Sequence, residues 1–140
     1  MLVKDVMTPN PITIDPNQPV LEALLVMYQR DIRRLPVMEG GKLVGIISDR
    51  DIKQTMGRPA LVSRQAGEEP ELKLSIGDVM TRNLITVSQD DDLKDAIELL
   101  VENKISGLPV VDQDQKLVGV ISAIDVLRYC LDLLDRFERR

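Results

Sequence analysis

Two stretches of the chain are near-copies of each other: "KLVGIISDRDI" (residues 42–52) and "KLVGVISAIDV" (residues 116–126). Each reads as a strand rich in β-branched residues that ends at a serine and continues into a helix. The copies differ where Asp49 and Arg50 of the first are replaced by Ala123 and Ile124 in the second. The chain therefore repeats one local structure, and the charge at the start of its helix differs between the two copies.

The copied phrase belongs to an internal repeat that covers most of the chain. Asp5 aligns with Asp78, and Pro36 aligns with Pro109. In each copy a strand, a helix, two strands and a second helix follow one another. This order predicts an α/β (α+β) fold of two β-α-β-β-α units, packed sheet to sheet with pseudo-twofold symmetry, plus a C-terminal helix. A unit of about fifty residues is marginal alone, so two units that share a core are expected.

The repeat also predicts the domain boundaries. The first unit spans residues 1–58, a connector spans residues 59–75, and the second unit with the C-terminal helix spans residues 76–140. Prolines, glycines and a cluster of charges between the copies are typical of a connecting segment.

Local signals predict where strands and helices begin. "PITI" (residues 11–14) and "LITV" (residues 84–87) read as short strands. Asp15, followed by proline, reads as the N-cap of the first helix, and Ser88 with Asp91 reads as a capping box for its counterpart. Both helices carry an apolar stripe at helical spacing, which predicts one buried face each.

The composition narrows the classes of function. The net charge of −5 argues against broad nucleic-acid binding, which needs a basic surface. The chain has no histidine, so imidazole metal sites and imidazole acid–base catalysis are excluded. We find no nucleophile–base pair and no phosphate-binding glycine loop, so the sequence predicts no catalytic residues, no metal site and no enzyme. One cysteine, no membrane-length segment and no signal peptide predict a cytoplasmic protein.

Three motifs, each present in both copies, resemble the cystathionine β-synthase (CBS) domain family: "DVMT", "LPV" and "LVG" leading to Ser-x-x-Asp. The pair resembles a tandem CBS domain pair, often called a Bateman module. The resemblance implies a regulatory module that senses an adenosine-containing ligand (AMP, ADP, ATP or S-adenosylmethionine) in the cleft between the repeats. It also implies a homodimer whose arrangement, or whose partner protein, responds to that ligand. The alternative is a scaffold that dimerises or docks without a ligand.

The first copy carries the first candidate site. Ser48 and Asp51 form a capping box by themselves, but a free helix N-terminus also suits a phosphate, and the resemblance puts ribose hydroxyls on the aspartate. Arg33, Arg34 and Arg50 lie beside this helix start, and a solvated basic face is the alternative. Arg33 and Arg34 are neighbours in a strand, so their side chains face opposite sides and at most one of them should reach a given phosphate. The resemblance places Met7, Ile12 and Pro36 around an adenine ring, for which core packing is the alternative. Thr8 is a candidate hydrogen-bond partner of the ligand, for which capping of a local turn is the alternative.

The second copy carries the second candidate site at the matching positions: Met80, Thr81, Ile85, Gly107, Pro109, Ser122 and Asp125. Ser106, Gly107 and Ile124 stand where the first copy has arginines. We expect the first copy to supply the anion-binding groups and the second site to prefer a less charged ligand, unless its altered residues only pack on a neighbour. Gly45 and Gly119, inside strands, predict a close approach by another part of the chain or by a ligand.

Overall fold

Each half of the fold is assembled from parts of both repeats. The computed structural model describes residues 1–56 and 74–139, so most of the predicted connector lies outside the described residues. One unit comprises Ile12–Leu84 and is called the Asp51 unit. The other comprises Met1–Pro11 together with Ile85–Arg140 and is called the Asp125 unit.

The described elements confirm an α/β fold. In chain order they are β1 (Thr8–Pro9), α1 (Val20–Arg30), β2 (Arg34–Glu39), β3 (Lys42–Ser48), α2 (Asp49–Met56), α3 (Ile76–Val79), β4 (Val87–Ser88), α4 (Leu93–Asn103), β5 (Gly107–Val111), β6 (Leu117–Ser122) and α5 (Ala123–Glu138). The long C-terminal helix is present as predicted.

The Asp125 unit contains a four-stranded sheet in the order β1-β6-β5-β4. β1 and β5 pair antiparallel with β6, while β4 pairs parallel with β5. Side chains alternate across a strand, and Leu108, Val110 and Ile121 are completely buried on the face that meets the helices.

The Asp51 unit repeats this topology with shorter edges. β2 and β3 form an antiparallel hairpin whose turn places Gly40 and Gly41 at φ 58° and 80°, where glycine has no steric penalty. On either side of the hairpin, single bridges replace the edge strands. Ile14 pairs with β2 in parallel, and Thr81 pairs with β3 in antiparallel fashion.

The leading segments of the two repeats are exchanged between the units. Thr8, from the first repeat, pairs with Val120 of β6 in the second repeat. Thr81, from the second repeat, bridges Ile46 of β3 in the first. An open strand presents unpaired N–H and C=O groups, and each leading segment satisfies those of the other repeat's last strand.

The two hydrophobic cores show the same exchange. The core of the Asp51 unit includes Ile76 from the second repeat's leading segment, and the core of the Asp125 unit includes Val3 from the first. Both side chains are 0% exposed. Each leading segment is thus part of a core and not a surface extension.

Several predicted starts of elements are wrong. α1 begins at Val20, and Asp15 instead accepts a hydrogen bond from the N–H of Asn17 at 2.8 Å, an Asx turn. The N–H of Ser88 does donate to Asp91 at 2.9 Å, but this contact closes a turn that precedes α4. Competing local turns, which Asp and Ser side chains also stabilise, account for both differences.

The two predicted first strands are also shorter than expected. Of residues 11–14, only Ile14 takes part in a bridge, and of residues 84–87, only Val87 lies in β4. Short edge strands of this kind depend on their neighbours, so β-propensity alone overestimates their length.

Candidate ligand site

Helix α2 of the Asp51 unit and helix α5 of the Asp125 unit begin with the same hydrogen-bonded frame. Ser48 Oγ accepts from the N–H of Asp51 at 3.1 Å, while Asp51 Oδ2 accepts from the N–H of Ser48 at 3.1 Å. In the other unit the matching distances, between Ser122 and Asp125, are 3.2 Å and 2.9 Å. The capping box predicted for Ser48 and Asp51 is confirmed, and its counterpart at Ser122 and Asp125 is present as well, whereas Ser88 and Asp91 do not cap α4.

A threonine from the exchanged segment reaches the second oxygen of each aspartate. Thr81 Oγ1 donates to Asp51 Oδ1 at 3.3 Å, and Thr8 Oγ1 donates to Asp125 Oδ1 at 3.0 Å. An ionised carboxylate has about four acceptor positions, so Oδ1 can still accept a further hydroxyl. Each unit therefore presents a fixed carboxylate that suits a ligand carrying neighbouring hydroxyl groups.

The exchange regroups the residues of the two predicted sites. Met7 and Thr8, which the sequence analysis placed with Asp51, lie in the Asp125 unit. Met80 and Thr81, placed with Asp125, lie in the Asp51 unit. The cause is backbone pairing: for example, the N–H of Thr81 donates to the carbonyl of Ile46 at 2.8 Å. The ligand-binding role of these residues stays a prediction.

The remaining predicted residues keep their units. Ile12, Arg33, Arg34, Pro36, Ser48, Arg50 and Asp51 lie in the Asp51 unit, and Ile85, Gly107, Pro109, Ser122 and Asp125 lie in the Asp125 unit. Pro36 and Pro109 are buried, Ile12 is exposed, and Ile85 is half-buried against the core of its unit. The two prolines therefore pack inside the sheets, whereas Ile12 is accessible.

The strand glycines face the methionines of the exchanged segments. A Cβ added at Gly45 would lie 2.5 Å from Met80 Sδ, and one added at Gly119 would lie 2.6 Å from Met7 Sδ. The predicted close approach is thus made by the chain itself. Met80 is only 8% exposed and belongs to the core, which is the alternative that the sequence left open for it.

Charge distinguishes the two helix starts. In the Asp51 unit Asp49 Oδ2 lies 3.7 Å from Arg33 Nη1 and 3.8 Å from Lys53 Nζ. Arg50 is exposed in the same turn, and Arg34 is half-buried at the start of β2. The sequence analysis missed Lys53, although its spacing of four residues from Asp49 is the signal for a helical ion pair.

The Asp125 unit keeps the backbone of this corner without its charges. The N–H of Ala123 donates to the carbonyl of Ser106 at 2.9 Å, just as the N–H of Asp49 donates to that of Arg33 at 2.9 Å. Ile124 takes the place of Arg50 and is 55% exposed. The two helix starts therefore share their backbone hydrogen bonds but present different side chains, charged in the Asp51 unit and apolar in the Asp125 unit.

A cavity of about 240 Å³ lies elsewhere in the Asp51 unit. Its lining is Pro16, Asn17, Glu39, Val44, Ser75, Gly77, Asp78, Met80 and Arg82. Of the predicted site residues, only Met80 contributes to it, so the cavity is separate from the Asp51 helix start.

Within residues 1–56 and 74–139, no group of three or more acidic, cysteine or histidine residues is arranged to hold a metal ion. None of the helices in these ranges combines the length and apolarity of a membrane span.

Comparison with known proteins identifies the family. The family model described as "CBS domain" matches residues 3–58 and again residues 76–132. The chain therefore belongs to the CBS domain family and contains a tandem pair of these domains, as its three motifs predicted.

Two solved structures and one curated relative illustrate the match. The CBS domain pair of protein MJ0100, in complex with 5′-methylthioadenosine and S-adenosyl-L-methionine, has a TM-score of 0.78 and 32% identity over 92% of this chain and 94% of that chain. CBSX2 in complex with AMP has a TM-score of 0.76 and 31% identity over 94% and 97% of the two chains. Protein MJ1225 of Methanocaldococcus jannaschii is 34% identical over 130 residues, which are 91% of this chain and 46% of that protein. The chain thus spans less than half of this relative's length.

Proposed function

We propose that the chain is a non-catalytic regulatory module that binds adenosine-containing ligands at the Asp51 and Asp125 helix starts. The observation that carries the proposal is the carboxylate frame that occurs twice, in which Ser, Asp and Thr converge at a helix N-terminus. A carboxylate suits a ribose diol, and the N–H groups of a helix start suit a phosphate. The crystal structures of related pairs with AMP and with S-adenosyl-L-methionine support this ligand class.

The two sites differ in the ligand they prefer. Arg33, Arg50 and Lys53 surround the Asp51 helix start, so a phosphorylated ligand such as AMP, ADP or ATP binds there. The Asp125 helix start has Ile124 instead, which favours an uncharged adenosine moiety. Occupancy then shifts the population of conformations that a partner protein or a second copy of the chain recognises, by no more than the ligand's differential affinity.

Calorimetric titration with adenosine, AMP, ADP, ATP and S-adenosylmethionine tests the proposal. We expect Asp51→Asn to weaken AMP and Asp125→Asn to weaken adenosine, because an amide is a poorer acceptor for hydroxyl groups than a carboxylate. Asp132→Asn, on an exposed face of α5, is the control. Absence of binding by every ligand at about 1 mM, an affinity of only about 4 kcal/mol, contradicts the proposal.

A second candidate function is association through α5. Its exposed apolar residues, between 55% and 72% exposed, are Ile124, Leu127, Leu131, Leu134 and Phe137. A contiguous apolar stripe of this kind is typical of an interaction surface, here for a homodimer. Analytical ultracentrifugation of Leu127→Glu and Leu134→Glu distinguishes the candidates: a pure scaffold loses association and shows no titration with any adenosine ligand.

A further inference from the structure

One carboxylate lies among the cations of the Asp51 unit. Asp49 Oδ2 is 3.7 Å from Arg33 Nη1 and 3.8 Å from Lys53 Nζ. Both distances exceed the roughly 2.7–2.9 Å of a direct charge-assisted hydrogen bond. The side chains of Arg33 and Lys53 are 80% and 77% exposed, whereas that of Asp49 is 31% exposed. Asp49 therefore holds both cations loosely, and both can turn toward another anion.

The fold does not require a carboxylate at this position. The first residue of α2 contributes a backbone N–H to the carbonyl of Arg33, and Ala123 makes the same contact in the Asp125 unit. An acid at a helix start is favourable because of the helix dipole, but that effect is independent of the cations around it. The charge of Asp49 is thus a feature of one unit, added to a backbone that both units share.

We infer that Asp49 is a specificity-determining residue that limits the preference of the Asp51 unit for highly charged ligands. The inference rests on the proposed function. A phosphate that approaches Arg33 and Lys53 must replace Asp49 as their partner, and it is repelled by the Asp49 charge. Uncharged adenosine meets neither effect. The opposing effect of Asp49 therefore increases with the number of phosphate charges, from AMP to ATP.

The test is Asp49→Asn, titrated with adenosine, AMP and ATP at low and high salt. We expect AMP to bind about two- to fivefold more tightly, ATP to gain more than AMP, and adenosine to be unchanged. The gain should shrink as salt rises, because exposed charges are screened beyond about 10 Å at 0.1 M. Asp49→Ala, which copies the residue at position 123, gives the same expected pattern.

Glu39→Gln is a matched control, because it removes the same charge from the opposite end of the β2–β3 hairpin. In the register of the β2–β3 hairpin, Glu39 lies opposite Lys42 at the turn, whereas Arg34 lies opposite Ser48, next to Asp49. At about 3.3 Å per strand residue, the two ends are separated by more than the screening length. At about 0.1 M salt and above, the control should leave the affinities for AMP and ATP unchanged.

Five outcomes overturn the inference. Weaker binding of AMP by Asp49→Asn would mean that Asp49 organises the cations for the ligand. An equal change for adenosine and AMP would indicate a structural effect, and equal tightening by Glu39→Gln would indicate net charge alone. If the unaltered chain binds adenosine but not AMP, Asp49 has no phosphate to oppose. If it binds neither, the proposed function itself fails, and the inference fails with it.

Discussion

The two units share a backbone frame but differ in the charges placed around it. In both, a Ser–Asp capping box begins the helix that follows the hairpin, α2 or α5, and a threonine from the other repeat reaches the aspartate. In the Asp51 unit the surrounding turn carries Arg33, Asp49 and Lys53, and in the Asp125 unit the same backbone carries none of these charges. The contacts that define the frame use few side chains, so the other positions are free to differ.

The comparison separates residues that maintain the fold from those to which we assign ligand preference in the proposed function. Several positions that match in both repeats are buried or hydrogen-bonded, such as Leu35 with Leu108 and Ser48 with Ser122. Arg33, Arg50 and Lys53 are exposed, and so are the residues at the matching positions of the second repeat, so a substitution there disturbs no core contact. The same backbone at the helix start can therefore carry different charges in the two units.

The largest effect is expected when the same buried side chain is truncated in each unit. Leu35→Ala and Leu108→Ala each remove a side chain that is 0% exposed, and each should lower the free energy of unfolding by about 2–5 kcal/mol. Urea unfolding followed by circular dichroism measures both. Val101→Ala, at a residue of α4 that is 70% exposed, is the control and should change little. A cost below about 1 kcal/mol in only one unit would show that the cores are not equivalent.

Sequence patterns predicted the repeat, the order of elements and the capping boxes of α2 and α5, because these depend on residues close together in the chain. Ser48 and Asp51, for example, are three residues apart, and their side chains satisfy each other's backbone N–H groups. The residue types of the candidate site could be predicted from the sequence for the same reason.

The exchange of the leading segments could not be predicted from local patterns. Both segments read "DVMT", so either one offers the same methionine and threonine to either strand. Gly45 and Gly119 indicated a close approach, but a glycine does not specify which segment approaches it. Pairing is a long-range choice that depends on how the whole chain is routed.

The next largest effect is expected from changing the charge around each helix start, because we expect this charge to decide whether the unit prefers AMP or adenosine. Arg50→Ala should weaken AMP by about 1.5–3 kcal/mol, the value of one charge-assisted contact, and leave adenosine unchanged. Ile124→Arg should do the reverse in the Asp125 unit by adding affinity for AMP. Arg128→Ala, an exposed position on α5, serves as the control in the same titrations. Equal effects on AMP and adenosine would remove the distinction between the units.

The glycine–methionine contacts test whether the exchanged segments depend on close packing. Gly45→Val and Gly119→Val should each cost about 1–3 kcal/mol, because the new side chain overlaps Met80 or Met7. At Gly119 a Cβ would also lie 2.9 Å from the carbonyl oxygen of Thr8. Met7→Ala should therefore restore Gly119→Val only in part. Full stability of Gly119→Val in thermal unfolding would contradict the packing of the leading segment on β6.

The smallest expected effect is that of the threonine hydroxyls. Thr8→Val and Thr81→Val each remove one hydrogen bond to an aspartate while keeping the shape of the side chain, at a cost of about 0.5–1.5 kcal/mol. Thr8→Val should raise hydrogen exchange about two- to tenfold at the amide of Asn10, which is bonded to the carbonyl of Val118. Exchange at the amide of residue 81 should stay unchanged, and Thr81→Val should give the converse result. Each variant is thus the control for the other. If either one loosens both segments equally, the threonines do not act within their own units, and the equivalence of the two frames is lost.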